Sequence, residues 1–214
     1  KYGNPWSRKP KEEVAATKTP EELKQQISEE LAASRDKPKK PSPAVAEMLK
    51  RGAASEESGD LDGARAAYLD VVALYPQHAE AHHRLGVIAD MAQDPQTADE
   101  HYAQAYAVNP RDPDLLSDMG YSLYLRGRLN ESETKLKDAL RYDGNHRSAA
   151  NNLALVHAKQ GNYDGALAML RLTGTEAEAQ QGIARLFPQG RPGAGPQYAM
   201  NSPVPRSPSG NPGN

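Results

Sequence analysis

Four histidines are the residues of this sequence whose type and spacing come nearest to a reactive site. His78 and His82 are four residues apart, His83 follows directly, and His101 comes later. Two imidazoles four residues apart share one face of a helix and can bind a metal ion, but a stable site needs a further ligand. We therefore predict packing or solvent exposure for these rings and no metal site.

Other chemical motifs are weak or missing from the sequence. The stretch DLDG, Asp60 to Gly63, resembles the start of a calcium loop but lacks the later acidic ligands, so we interpret it as a turn. No serine-nucleophile elbow, phosphate loop or HExxH motif is present, and the absence of cysteine excludes thiolate chemistry. We predict no catalytic residue, no cofactor and no enzymatic activity.

The elements that carry these residues repeat with a period of 34. The period brings three sets of positions into register: Gly52, Gly86, Gly120 and Ala154; then Ala64, Ala98, Ser132 and Ala166; then Tyr68, Tyr102, Leu136 and Leu170. Helix breakers recur between them, at Gly59, Gly127 and Gly161, while the second unit has Gln93 and then Asp94-Pro95. Such a period indicates a protein built from stacked supersecondary units.

Helix packing explains this pattern. A small residue is expected where the first helix of a unit crosses the second closely. A small residue and an aromatic four positions later share one face of the second helix. We predict that Tyr68, Leu85 and Tyr102 are core residues.

The pattern resembles the tetratricopeptide repeat (TPR) family over residues 45 to about 178, with departures such as the proline missing from the end of repeats three and four. The resemblance implies an all-α, right-handed α-solenoid of about four helix-turn-helix repeats, with a C-terminal capping helix and extended Pro-rich flanks. The expected organisation is an N-terminal arm at 1–43 with a short helix at 20–34, a TPR domain at 44–178, the end of a capping helix at 179–187, and a Pro/Gly-rich tail at 188–214. The expected repeats span 45–78, 79–112, 113–146 and 147–178.

The flanks contain two further candidate helices. Thr19, Pro20 and Glu22 form a helix start with a capping box, and Leu23, Ile27 and Leu31 then make a narrow apolar stripe. Two interpretations are open: a fraying surface helix, or a docking helix that covers the solenoid or a partner. Before the tail, Ala179, Ile183, Leu186 and Phe187 are expected to face inward and cap the last repeat.

The family resemblance also implies a binding groove lined by the first helix of each repeat. The residues carried over to this groove are His83, Val87, Asp90, Ser117, Tyr121, Tyr124, Asn151, Asn152 and Leu155. Tyrosine gives a large contact area at low entropic cost, and amides can bond a peptide backbone. Packing of Tyr121 and Tyr124 between helices is the alternative. We expect the ligand to be a segment with basic and apolar residues.

Charge and composition narrow the partner class. Residues 44–174 carry thirteen Lys/Arg against nineteen Asp/Glu, a net charge of −6, which disfavours duplex nucleic acid. We expect protein partners, as subunits of a larger complex, no nucleic acid, and at most indirect membrane contact.

Two functional interpretations remain: a scaffold subunit whose arms dock on neighbouring subunits, or a pilotin- or co-chaperone-like adaptor that binds client peptides in the groove. The last repeat and its cap also resemble TPR lipoproteins of bacterial pilus and secretin systems. That resemblance favours the bacterial envelope or periplasm, with the cytoplasm as the alternative.

Overall fold

The structure is a computed structural model and describes residues 18–33 and 43–193. Within those ranges the chain is all-α. The helices are α1 (Pro20–Ala33), α2 (Pro43–Ser58), α3 (Leu61–Leu74), α4 (Ala79–Met91), α5 (Pro95–Val108), α6 (Pro113–Leu125), α7 (Leu129–Tyr142), α8 (Arg147–Lys159), α9 (Tyr163–Thr173) and α10 (Glu176–Leu186). No helix in the described ranges is both long and apolar enough to cross a lipid bilayer.

The described helices form two compact units, which divide between Leu115 and Leu116 inside α6. The predictions for the N-terminal arm before residue 18 and at 34–42, and for the tail beyond residue 193, fall outside the described residues.

In the first unit, each repeat is closed by a glycine that faces a tyrosine. A β-carbon on Gly52 would lie 2.6 Å from the Tyr68 ring, and one on Gly86 would lie 2.7 Å from the Tyr102 ring. Both tyrosines are only 2% exposed, and Leu85 is 3% exposed. The predicted close crossing and the predicted core positions are therefore confirmed.

The second unit repeats this crossing with an aliphatic partner. A β-carbon on Gly120 would lie 2.6 Å from the Leu136 side chain. Ser132 stands where the other repeats carry alanine, and its hydroxyl donates to the Gly120 carbonyl at 2.6 Å. The serine is fully buried, so this hydrogen bond offsets the cost of desolvating its hydroxyl.

The second helix of each repeat begins in a common way. Asp60, Asp94 and Asn162 accept hydrogen bonds from the backbone amides of Gly63, Thr97 and Gly165 at 2.9, 3.1 and 2.9 Å. Arg128 occupies the same position before α7 and makes no side-chain cap. The stretch DLDG was predicted to be a turn, but it is a helix start: Asp60 is the cap and residues 61–63 are the first turn of α3.

Helix α1 docks on the first repeat. The Thr19 amide donates to the Glu22 carboxylate at 2.6 Å, and the Glu22 amide donates to the Thr19 hydroxyl at 3.3 Å, which completes the predicted capping box. Leu23 and Ile27 are 2% and 0% exposed and belong to the core of α2 and α3. Burial of such side chains contributes roughly 1.5–3 kcal/mol each.

A polar contact reinforces this docking, because Lys24 Nζ lies 2.7 Å from Asp70 Oδ1 on α3. Of the two interpretations, the docking helix is confirmed, because α1 covers the first repeat. The prediction for Leu31 falls outside the side chains described.

Helix α10 closes the second unit. Thr175 and Glu178 form a capping box, and Ala179 and Ile183 are 1% and 2% exposed. The predicted inward residues Leu186 and Phe187 are partly buried against the hydrophobic cluster that contains Ile183. The Thr175 amide and hydroxyl donate hydrogen bonds to the Glu178 carboxylate, and Arg147 bonds the same carboxylate. These bonds lower the pKa of Glu178 to about 2.

Candidate functional site

In the first unit, one predicted groove residue, His83, is buried, and the other two, Val87 and Asp90, are partly exposed. His83 is only 8% exposed, and its ring centroid lies 6.3 Å from that of Tyr102. Asp90 accepts a hydrogen bond of 2.9 Å from the Tyr102 hydroxyl, and Val87 is half-buried. The ring of His83 thus packs within the repeat, against Tyr102.

In the second unit, Ser117 is buried between helices. It is 1% exposed, and its hydroxyl accepts a hydrogen bond of 3.3 Å from the amide of Asn152. This bond ties α8 to α6 and uses one donor of Asn152. Both residues thus serve helix packing, and the tandem asparagines differ in role because Asn151 is exposed.

Two tyrosines of α6 remain accessible. Tyr121 is 40% exposed, Tyr124 is half-buried, and their ring centroids are 6.1 Å apart at an interplanar angle of 21°. This near-parallel pair presents an aromatic surface with a polar hydroxyl on each ring. Such a surface suits contact with a partner chain.

A cavity of about 420 Å³ lies between α8, the end of α9 and α10. Its apolar lining comes from Leu155, Leu170 and Leu186. Its volume is within the usual range for ligand pockets. It includes two of the residues that the family resemblance implies, Asn151 and Leu155.

Helix α10 approaches α9 closely at this cavity because Gly182 is small. A β-carbon there would lie 3.0 Å from a methyl carbon of Leu170. The family pattern does not extend to α10, so its part in the cavity was not predicted. Gly182 was the available signal, since a glycine inside a helix costs stability unless close packing requires it.

The rim of the cavity carries hydrogen-bonding groups. Asn151, Gln181 and Arg185 line it, are exposed, and make no side-chain hydrogen bond or ion pair with any described residue. Arg147 also lines it, but its guanidinium lies 3.0 Å from the Glu178 carboxylate. The rim therefore offers two amides and one unpaired cation beside an apolar floor.

Of the four histidines considered for metal binding, His78 has a structural role, which it shares with His146. His78 and His146 stand one residue before α4 and α8, where their Nδ1 atoms accept from the amides of Ala81 and Ala149 at 3.3 and 3.1 Å. Within the described residues, no three His, Cys, Asp or Glu side chains are grouped as a metal site.

Paired helices with small residues at their crossings define a helical-repeat protein. The chain belongs to the tetratricopeptide repeat family, whose profile matches residues 49–115 and 117–174. Members of this family generally mediate protein–protein interaction. The comparison with curated proteins gave no match.

Solved structures share the fold. PilF of Pseudomonas aeruginosa is 24% identical, with a TM-score of 0.61 over 68% of each chain. PilW, described as a widely conserved type IV pilus biogenesis factor, is 21% identical, with a TM-score of 0.63 over 70% of this chain and 71% of that one. YrrB, described as a TPR protein with an unusual peptide-binding site, is 15% identical, with a TM-score of 0.55 over 78% and 84%.

Proposed function

We propose that this chain is a non-enzymatic adaptor that binds a segment of a partner protein in the cavity between α8 and α10. The observation that carries the proposal is the combination of an apolar floor with three polar side chains, Asn151, Gln181 and Arg185, that have no partner among the described residues. Amide side chains can pair with the main chain of an extended segment, while the floor takes an apolar side chain.

The charge of the rim selects the ligand. Arg185 is the cation at the cavity that lacks a described partner, so the fitting segment carries an acidic side chain next to an apolar one. This differs from the expectation of a basic segment, which rested on acidic residues of other repeats. The tyrosine pair on α6 offers a second contact for the same partner.

The adaptor role is favoured over the scaffold role by the position of α1. A scaffold whose arms dock on neighbouring subunits needs those arms to be free, whereas α1 buries Leu23 and Ile27 in its own repeat. The likeness to PilF and PilW makes components of a bacterial envelope assembly the partners to examine first.

Peptide display tests the proposal. A random peptide library is selected on the full chain, and the affinity of enriched peptides is measured by fluorescence anisotropy. We expect peptides that combine acidic and apolar residues, and at least about a tenfold loss of affinity for Arg185→Glu, since a charge-assisted hydrogen bond contributes roughly 1.5–3 kcal/mol.

Arg65→Ala, on α3 of the first unit, is the control and should leave affinity unchanged. Asn151→Ala should weaken binding by a smaller factor, because a neutral hydrogen bond contributes less. Equal binding by Arg185→Glu and the parent chain would refute the site, as would enrichment of basic peptides.

A further inference from the structure

Two histidine rings meet between the helices of the second repeat. Nδ1 of His82 on α4 lies 3.0 Å from Nδ1 of His101 on α5, and the ring centroids are 5.3 Å apart. His82 is 7% exposed, and His101 is half-buried. The two residues are 19 positions apart, and the proposed function does not use them.

The surroundings of His82 determine which nitrogen carries its proton. Its Nε2 lies 2.9 Å from the carbonyl oxygen of Pro76, which can only accept a hydrogen bond. Nε2 is therefore the protonated nitrogen of neutral His82, and its Nδ1 is an acceptor. It follows that neutral His101 donates from Nδ1, which leaves its Nε2 without a proton.

Proton counting shows what acid does to this contact. When one proton is added to the pair, one ring becomes a cation whose Nδ1 hydrogen is donated to the Nδ1 lone pair of the other ring, so the contact survives. When a second proton is added, both Nδ1 atoms carry hydrogens that point at each other. The hydrogen bond is then lost, and two like charges face each other in a poorly hydrated place.

The acidic groups near the two rings offset only part of the cost of a second charge, because the pKa of His101 is lowered despite the nearby Glu100. His78 stands one helical turn before His82, Glu80 lies beside His78, Tyr75 precedes Pro76, and Glu100 adjoins His101. Burial lowers the pKa of His101, the nearby His82 lowers it further, and Glu100 opposes this shift. Burial also lowers the pKa of His78, with Glu80 opposing it.

We infer that the His82–His101 contact is an acid-sensitive link that joins the α3–α4 turn and α4 to α5, and that it opens when both rings are protonated. The link is particular to this repeat. The positions equivalent to His82 are Leu116 and Ala150, and those equivalent to His101 are Lys135 and Met169. In the later repeats, the equivalent positions hold no pair of titratable rings.

The expected dependence of stability on pH follows from the direction of the shifts. Because the pKa of His101 is lower in the folded chain, the unfolded chain binds more protons below its ordinary value of 6.5. Stability is thus complete above about pH 6.5 and falls as the pH decreases below that value.

Nitrogen-15 NMR of the full chain tests the geometry directly. At pH 7.5 we expect long-range imidazole couplings to show His82 protonated at Nε2 and His101 protonated at Nδ1. A His101 ring protonated at Nε2 under those conditions would overturn the inference.

Urea unfolding at pH 7.5 and 5.5 tests the consequence. The double variant His82→Leu/His101→Met carries residues that later repeats use at these positions. We expect the parent chain to lose more of its folding equilibrium constant than this variant over the same pH change, by up to about tenfold for each proton that the folded pair fails to bind.

Two further variants serve as controls. His157→Gln changes a histidine of the second unit and should leave the pH response unchanged. His78→Asn keeps a side chain that can cap α4 and removes the ionisable imidazole of His78. A double variant with the same pH response as the parent chain overturns the inference. If that variant does not fold, the NMR result decides.

Discussion

At the scale of single residues, one position in the turn between the two helices has the same unusual backbone conformation in all four repeats. Gly59, Gly127 and Gly161 have φ values of +81°, +74° and +74°, and Gln93 has a φ of +59°. Glycine adopts this left-handed conformation without a steric penalty, whereas a glutamine pays for it. The second repeat therefore keeps the turn of the other three with an unfavourable residue.

Replacement of Gln93 by glycine should stabilise the chain. Relief of the left-handed strain amounts to roughly 1–2 kcal/mol, and the greater freedom of glycine in the unfolded chain offsets part of it. We expect a net gain of about 0.5–1 kcal/mol in the free energy of unfolding, measured by urea denaturation. The matched reverse change, Gly127→Gln, should destabilise, and a gain there would refute the explanation.

Replacement of a glycine at a helix crossing should have the opposite effect on stability. A methyl group on Gly86 would meet the Tyr102 ring at 2.7 Å, and that ring is buried and tied to Asp90 through its hydroxyl. Gly86→Ala should therefore cost about 1–3 kcal/mol despite the better helix propensity of alanine. Thermal unfolding by circular dichroism measures this; unchanged stability would mean that the ring moves freely.

At the scale of elements, helix α1 shows how far sequence reasoning reaches. Its capping box and two of its apolar positions were predictable, because both depend on spacing within one helix. Its docking site could not be predicted, because the surface that receives Leu23 and Ile27 is formed by two other helices, α2 and α3.

Truncation of Ile27 tests this docking. We expect Ile27→Ala to cost about 2–5 kcal/mol if α1 unfolds together with the first repeat, because the side chain is fully buried. Hydrogen exchange should show the loss of protection across α1. Gln25→Ala, at an exposed position of the same helix, is the control; equal protection in both variants would refute docking.

Helix α10 should respond to acid in its own range of pH. The pKa of Glu178 is about 2 because the Thr175 backbone and hydroxyl bond its carboxylate, and that of Glu176 is about 2 because Arg171 and Gln180 do so. These contributions to stability are present above the ordinary value near 4.5 and are lost as the pH falls towards 2.

Carbon-13 chemical shifts of α10 should therefore report decreasing helicity between about pH 4.5 and 2, with much less change in Glu178→Ala. Glu57→Ala, on α2, should behave like the parent chain. A helix α10 that stays unchanged to pH 2 would contradict this account of the cap.

At the scale of the whole molecule, the repeat pattern could be predicted because it recurs in register. The pairs Gly52–Tyr68, Gly86–Tyr102 and Gly120–Leu136 each repeat a sequence separation that the period displays. The groove residues were less predictable, since a small rotation of a helix decides whether a side chain such as Ser117 is buried. The cavity and the His82–His101 contact were not predictable, because they join residues of different helices without a shared spacing.

The charge of the repeats predicts indifference to duplex DNA. Residues 44–174 carry a net charge of −6, so few phosphates could be neutralised. We expect no saturable binding of a fluorescent 20-base-pair duplex by the full chain below about 100 µM at physiological salt. Tight, salt-sensitive binding would require a basic surface that this charge distribution does not suggest.

The order in which the walls of the cavity are synthesised has a consequence for when a partner can be recognised. The ribosome produces Asn151 and Leu155 before it produces Gln181 and Arg185. A nascent chain that ends before α10 thus lacks half of the polar rim. Recognition of a client by this cavity should begin only after translation has passed residue 186 and α10 has folded against Leu170.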